Sequence, residues 1–463
     1  MALKTSYYME AVDTRNLPER FLEAFAAILT HSNYAPVLDL YARMSTRCGR
    51  CAASCPVYEA SCNARDIPCE RSELLLSVYR RYFTPLGALK ARFGTPFTLT
   101  EEHINRLAEE LYRCTACRRC KLECPLGIDH AMITHLGRWV LAEVGIVPKA
   151  LKVAVREQLD GKTHNTSAIP EAALRDTCEF LTDDCRDTWG MSIDFPIDRE
   201  GAEYVFFPAV SDYLLEPDTL TGNAAVLTAT GASWTIGSRY FDGINYGLFY
   251  SDRMLDRILQ QEVAEVRRLG ARKILIGECG HASRSAKFFV RTFGGGRDAP
   301  EVVNIMEFTL KALREGRLAL KPGAIGERVT YHDPCNLARS GWVVDQPREI
   351  LRAICTDFVD MTPRGRENYC CGGGGGSVSI DEIRPFRTLV GGKTKAEQIR
   401  RTGATVVVAP CANCKKQLRE VCEDHGLKDV RVVGLHDLLL PAIQPPAAMR
   451  AEKPVADEAA KGA

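Results

Sequence analysis

The spacing of apolar positions along the chain changes character near Ala202. Upstream it follows helical periods. Residues 17–44 read as helix with a break at Ser32-Asn33 and Pro36. Thr100 is placed to cap a helix that begins Glu101-Glu102, and Ile104, Leu107 and Leu111 then share one face. That helix delivers the chain to Cys114. The segment 161–202 reads as a loop-like linker, with Asn165-Thr166-Ser167 and an acidic stretch at Asp183-Asp184. Downstream, short apolar strands are followed by helices. Residues 204–208 open one such unit and 329–334 another; 273–277 close the first and 404–410 the second. The lag from Pro208 to Pro334 is 126 residues and from Cys279 to Cys411 it is 132. Two similar lags argue for a duplicated α/β unit. From Pro441 the chain is rich in Ala, Pro, Lys and Glu and reads as a disordered tail.

Charge narrows the partners. The 60 Lys+Arg residues balance 59 Asp+Glu, which supports neither a nucleic-acid footprint nor a polybasic membrane anchor. The start of the chain has Glu10 and Asp13 and no apolar core of signal-peptide length. The longest charge-free run, 219–238, holds five Thr, three Gly and two Ser, so no direct membrane span is expected. A cytoplasmic location follows, where thiols stay reduced. The 19 cysteines are therefore expected to be metal ligands rather than a disulfide framework.

Their spacing specifies the metal. Cys114-x2-Cys117-x2-Cys120-x3-Cys124-Pro125 is the bacterial ferredoxin run for a [4Fe–4S] cubane. Three thiolates on a tight turn cap three corners of a cube, and the cysteine before proline serves a second cube. Zinc is the competing metal, but four cysteines packed this closely before Pro fit its usual spacings poorly. A partner run, Cys48-x2-Cys51-x3-Cys55-Pro56, matches the last three positions, with Ser45 where the first cysteine would stand. Crossed ligation assigns Cys55 to the cube of Cys114, Cys117 and Cys120. Cys48, Cys51 and Cys124 hold the other, one ligand short. Cys62 or Cys69 could fill that corner; a serine oxygen or a three-iron cluster are the other options.

A second group comprises Cys335, Cys370-Cys371-Gly372 and Cys411-x2-Cys414. Adjacent cysteines cannot point the same way on a strand or helix, so the pair needs an irregular loop, which the glycines 372–376 allow. Cys411 follows an apolar strand, at the end where α/β folds place their sites. Other signals fail: Gly392-Lys393-Thr394 lacks the earlier phosphate-loop glycine, which would stand at Arg387. No G-x-G-x-x-G follows a strand, so no flavin or NAD is expected.

This pattern resembles the cysteine-rich CCG domain of heterodisulfide reductase-type proteins. The fusion of a two-cluster ferredoxin module to paired CCG units is similar to the D component of heterodisulfide reductase and to DsrK-like iron–sulfur proteins of dissimilatory sulfur metabolism, over roughly residues 45–440. The implied fold is mixed: a helical arm (1–44), an α-helical two-[4Fe–4S] ferredoxin-like domain (45–160), a linker (161–202), a degenerate first CCG unit (203–322), a complete second CCG unit (323–440) and the tail (441–463). The resemblance implies two cubanes plus a noncubane [4Fe–4S] cluster, held by Cys335, Cys370, Cys371, Cys411 and Cys414, that cleaves or forms S–S bonds. Electrons would come from a quinone-linked cytochrome b-type membrane subunit. They would reach a disulfide or trisulfide on a DsrC-like sulfur carrier, or a small-molecule thiol. The protein would then be peripheral on the cytoplasmic face of the inner membrane. In the first unit Val210-Ser211 replaces the leading cysteine, and only Cys279 survives, in Glu278-Cys279-Gly280-His281. Cys279 and His281 are candidates for lining the substrate path, His281 as a proton donor; packing at a strand end is the plainer alternative. His332, near Cys335, shares that ambiguity. Two competing functions are an electron relay in a glycolate or lactate oxidase-type complex and a zinc-bound scaffold.

Overall fold

The computed structural model describes residues 12–94 and 97–451. The expected helical arm is two helices, Leu17–Thr30 and Tyr34–Met44. Pro36 lies in the first turn of the second, where a missing N–H costs nothing. The arm packs with helices Pro68–Tyr82, Glu101–Tyr112 and His130–Glu143 around Phe21, Phe25, Leu75, Leu107, Leu111 and Leu136. Thr100 Oγ1 accepts from the His103 N–H at 3.2 Å, satisfying a donor the first turn cannot pair. Ile104, Leu107 and Leu111 are fully buried, as their spacing requires.

Two expectations about the connecting segments need correction. The supposed linker 161–202 contains a 19-residue helix, Glu171–Trp189. Its stripe of Leu174, Cys178, Leu181 and Cys185 is buried, while the acidic residues that suggested a loop face solvent. The helix Lys149–Asp160, assigned to the ferredoxin-like domain, buries Leu151, Val155 and Leu159 in the larger α/β core instead. The tail is also ordered at its start. Residues 440–449 form two short turns that bury Ile443 and Met449 against the α/β core. Backbone bridges Leu320↔Ile443 and Met191↔Arg450 hold it there as well; 452–463 lie outside the described residues.

The duplication is plain in the sheets. Strands β1 (Tyr204–Phe207), β2 (Trp234–Thr235), β3 (Lys273–Ile276) and β4 (Glu301–Asn304) form one parallel sheet in the order β2-β1-β3-β4. Strands β5 (Ile325–Tyr331), β6 (Cys355–Asp360), β7 (Val406–Val408) and β8 (Arg431–Val433) form another in the order β6-β5-β7-β8. Position by position these orders are the same. The central pairs are in register from Tyr204↔Lys273 to Phe207↔Ile276, and from Val329↔Val406 to Tyr331↔Val408. Both central strand pairs are buried through their apolar runs, the signature of parallel sheets covered on two faces. Cys279 ends the loop after β3 and caps helix Gly280–Phe289; Cys411 ends the loop after β7 and caps helix Ala412–Asp424. The two cysteines thus occupy equivalent positions in the two units. Among the described residues no helix is long and apolar enough to cross a membrane.

The units are joined by buried charge. Lys415 is fully buried, donates to Thr219 Oγ1 at 2.6 Å and lies 3.3 Å from Glu216 and 3.8 Å from Asp212 of the first unit. Glu278 accepts from the backbone N–H groups of Leu435 and His436 and pairs with the His436 ring.

Candidate metal centres

Three cysteine-lined sites emerge. The first is a cavity walled by Cys55, Cys114, Cys117 and Cys120, the four that crossed ligation groups together. Ala116 and Arg118 adopt positive φ, so the loop 114–120 curls back and turns its cysteines inward. Arg71 is buried there with Nη2 3.7 Å from Cys55 Sγ; burial pushes that thiol up, and the guanidinium opposes the rise.

The second cavity is walled by Ser45, Cys48, Cys51, Cys69 and Cys124. Cys69 sits in the first turn of helix Pro68–Tyr82, is buried, and contacts Cys51. A hydrogen bond from Cys51 brings its thiol down to about 7. Cys62 is exposed in a left-handed turn after helix Pro56–Ser61 and lines neither cavity. Of the two candidates for the vacant corner, only Cys69 is brought to it.

At the third site Cys335, Cys370, Cys371, Cys411 and Cys414 converge from three segments of the second unit, all buried, with Cys414 in the first turn of helix Ala412–Asp424. The Sγ atoms of Cys371 and Cys414 are 3.6 Å apart. His332 puts a ring nitrogen within 4.8 Å of both. The adjacent pair lies in irregular backbone, as anticipated, and Gly372, Gly375 and Gly376 all take positive φ. Hydrogen bonds from Cys279 and Cys414 hold Cys411 well below the ordinary thiol range. Cys279 therefore joins this site from the other unit. His281 Nδ1 is 3.2 Å from Cys279 Sγ, and Asn413 Nδ2 is 3.5 Å from the same ring nitrogen. Burial lowers His281 to about 4, so near pH 7 it offers a neutral ring rather than an imidazolium.

The first and third sites touch. Cys117 packs against the cluster of CCG cysteines and interacts with Cys370. Two glycines make this possible: a Cβ on Gly374 would stand 2.4 Å from the Thr115 carbonyl, and one on Gly375 would stand 2.8 Å from that of Cys114. Two arginines fasten the seam. Arg339 donates to the Cys117 carbonyl at 2.6 Å and to that of Asn368 at 2.6 Å. Arg138 donates to Cys114 O and Gly375 O. Neither was singled out from the sequence, since an isolated arginine in a helical or loop segment carries no pattern. Lys395, buried and bonded to Asn368 and Gln398, was missed for the same reason; desolvation lowers it to about 7.

Similarity to known proteins accords with this geometry. A 4Fe-4S dicluster domain matches residues 44–128, and a cysteine-rich domain, CCG, matches residues 329–419. The chain joins a dicluster domain to a CCG domain. It is 27% identical to the Hdr-like menaquinol oxidoreductase iron-sulfur subunit 2 of Archaeoglobus fulgidus, over 88% of this chain and 80% of that protein. It is 26% identical to the D component of the dihydromethanophenazine:CoB--CoM heterodisulfide reductase of Methanosarcina barkeri, over 86% of this chain and 93% of the relative. It is also 24% identical to the EtfAB:quinone oxidoreductase of Syntrophomonas wolfei, over 80% of this chain and 53% of that protein. No solved structure matches. The CCG match covers only the second α/β unit, the one with the full cysteine set, and the dicluster match includes Cys62 and Cys69.

Proposed function

We propose that this protein is the iron–sulfur electron-transfer subunit of a membrane-associated, Hdr-like oxidoreductase, and that its CCG site is where a sulfur–sulfur bond is reduced or formed. The contact between Cys117 and Cys370 carries this reading, because it brings a dicluster ligand against a CCG ligand. The donor sets fit the groups expected: four thiols around each dicluster cavity, with Cys69 in place of the cysteine missing at Ser45, and five at the CCG site. When bound, the clusters supply one-electron transfer and, at the CCG site, iron accessible to thiols.

The chain's own residues supply the remainder. Reduction of R–S–S–R′ consumes two electrons and two protons and yields RSH and R′SH. Cys279 and His281 form the protic pair nearest to the CCG cysteines on the side of the first unit. Asn413, between Cys411 and Cys414, connects them to a cavity of about 280 Å³ lined also by Tyr246, Ser211 and Lys416. Electrons would arrive from a quinol-linked membrane partner, in keeping with the names of the relatives. A small sulfur-carrier protein of the DsrC type is the proposed acceptor.

The test is anaerobic purification followed by EPR with oxidised thiols and with a sulfur-carrier protein. A paramagnetic signal that depends on the thiol supports catalysis at the CCG site. No such signal with any disulfide, together with rapid oxidation by a flavoprotein, would make the chain a relay only. A colourless protein loaded with zinc would overturn the reading.

A further inference from the structure

Between the dicluster domain and the first α/β unit lies a cavity of about 210 Å³ that plays no part in the proposed reduction. Its wall includes Ala116 and Arg118 of the loop 114–120, His135, Asp252, Phe289 and Arg284. The single carboxylate among these, Asp252, is already committed. One oxygen meets His135 Nε2 at 2.8 Å, and the other accepts from the Tyr34 hydroxyl at 2.8 Å. The cationic side has donors left over. Arg118 spends Nε on Asp129 at 3.0 Å, but its Nη1 is buried without a partner. Arg284 meets only the neutral Asn336 Oδ1, at 3.3 Å, and no carboxylate among the described residues forms an ion pair with it. Burial and the nearby Arg118 both act against its charge. The buried orphan Nη1 of Arg118, beside an Arg284 that pairs with no carboxylate, is costly unless a ligand answers it.

We propose that this cavity is an oxyanion site, with Arg284 and Arg118 receiving a carboxylate, sulfonate or phosphate-type group. Planar guanidinium forks match such groups. The position suggests what the anion belongs to. The helix that carries Arg284 begins at Cys279, and Arg284 itself bonds Asn336, the residue after Cys335. An anionic group held here sits at the flank of the CCG cysteines. A small thiol or disulfide with an anionic end would thus be oriented by that end, and this part rests on the function proposed above. A free inorganic oxyanion has the same chemistry and is the other source.

The experiment uses anaerobic holoprotein with its iron content verified. Titration calorimetry compares 3-mercaptopropionate, neutral 2-mercaptoethanol and sodium sulfate, on the wild type, Arg284→Gln and Arg284→Lys. The expected result is that 3-mercaptopropionate binds about tenfold or more tightly than 2-mercaptoethanol, that Arg284→Gln removes this advantage, and that Arg284→Lys restores part of it. Competition by sulfate at the same site, with no preference for the thiol acid, supports the oxyanion site and assigns it to a free ion. Charged and neutral thiols binding alike, with Arg284→Gln and sulfate both without effect, would overturn the proposal. If Arg284→Gln loses iron, Met132→Trp, which fills the cavity from its wall, serves instead, and the same loss of anion binding is expected. EPR on the same samples separates the two readings. Anion binding that depends on Arg284 but leaves every thiol-dependent signal absent keeps the oxyanion site and refutes catalysis at the CCG centre.

Discussion

Arg138, on a helix of the dicluster domain, donates to the carbonyl of Gly375 in the CCG glycine loop at 2.8 Å. The same guanidinium serves Cys114 O at 2.6 Å and Leu111 O at 2.7 Å, and it is almost wholly buried. One side chain thus pins both cysteine loops. Replacing it with leucine keeps the bulk and strands several buried carbonyls, so Arg138→Leu is expected to cost at least ~3 kcal/mol. Thermal unfolding of the holoprotein would show this as a large fall in Tm; an unchanged Tm contradicts the assigned role.

The glycine loop admits a gentler test. Gly374→Ala places a methyl carbon against the Thr115 carbonyl and must push the loop away from the dicluster domain. Iron content should survive, while electron passage from dicluster to CCG centre slows by about tenfold or more. Rapid-freeze EPR after reduction measures this directly. Equal rates in variant and wild type would mean that electrons do not cross at the Cys117–Cys370 contact.

Cys69 and Cys62 should separate cleanly. Cys69→Ala is expected to lose one cubane signal and to lower bound iron by up to about four atoms. Cys62→Ala, altering an exposed turn, should match the wild type. The reverse outcome would return the vacant corner to Cys62.

A fourth expectation concerns pH. Glu262 is fully buried in helix Asp252–Arg268, and neither carboxylate oxygen has a partner. Desolvation raises its pKa well above the ordinary value, with Asp242 adding to the effect. The folded protein therefore holds this proton where the unfolded chain has released it. Stability falls as pH rises from about 4.5. Glu262→Gln should flatten that part of the stability–pH curve and stabilise the protein at pH 7. Parallel curves in urea denaturation would show that the carboxylate finds a partner after all.

What could be read from the chain alone depended on how local each signal was. The run from Cys114 to Cys124, the paired α/β units and the cap at Thr100 are written in short spacings, and the fold honours them. The choice of Cys69 over Cys62 was not, because it depends on which way a helix start faces after a turn. The helix Glu171–Trp189 was hidden because its acidic face dominates the composition while only four positions carry the buried stripe. The roles of Arg138, Arg339 and Arg284 arise from contacts made across 27 to 237 positions in sequence, which no window captures.

The buried join between the two α/β units bears on how the protein matures. Lys415 follows Cys414 directly, and its charge is answered by Asp212 and Glu216, residues of the unit that carries no CCG set. The helix that begins at Cys411 is thereby fixed in place by protein alone. Loss of Asp212 or Glu216 would therefore disturb the CCG cysteines, and with them iron loading, from a unit that carries none of those five.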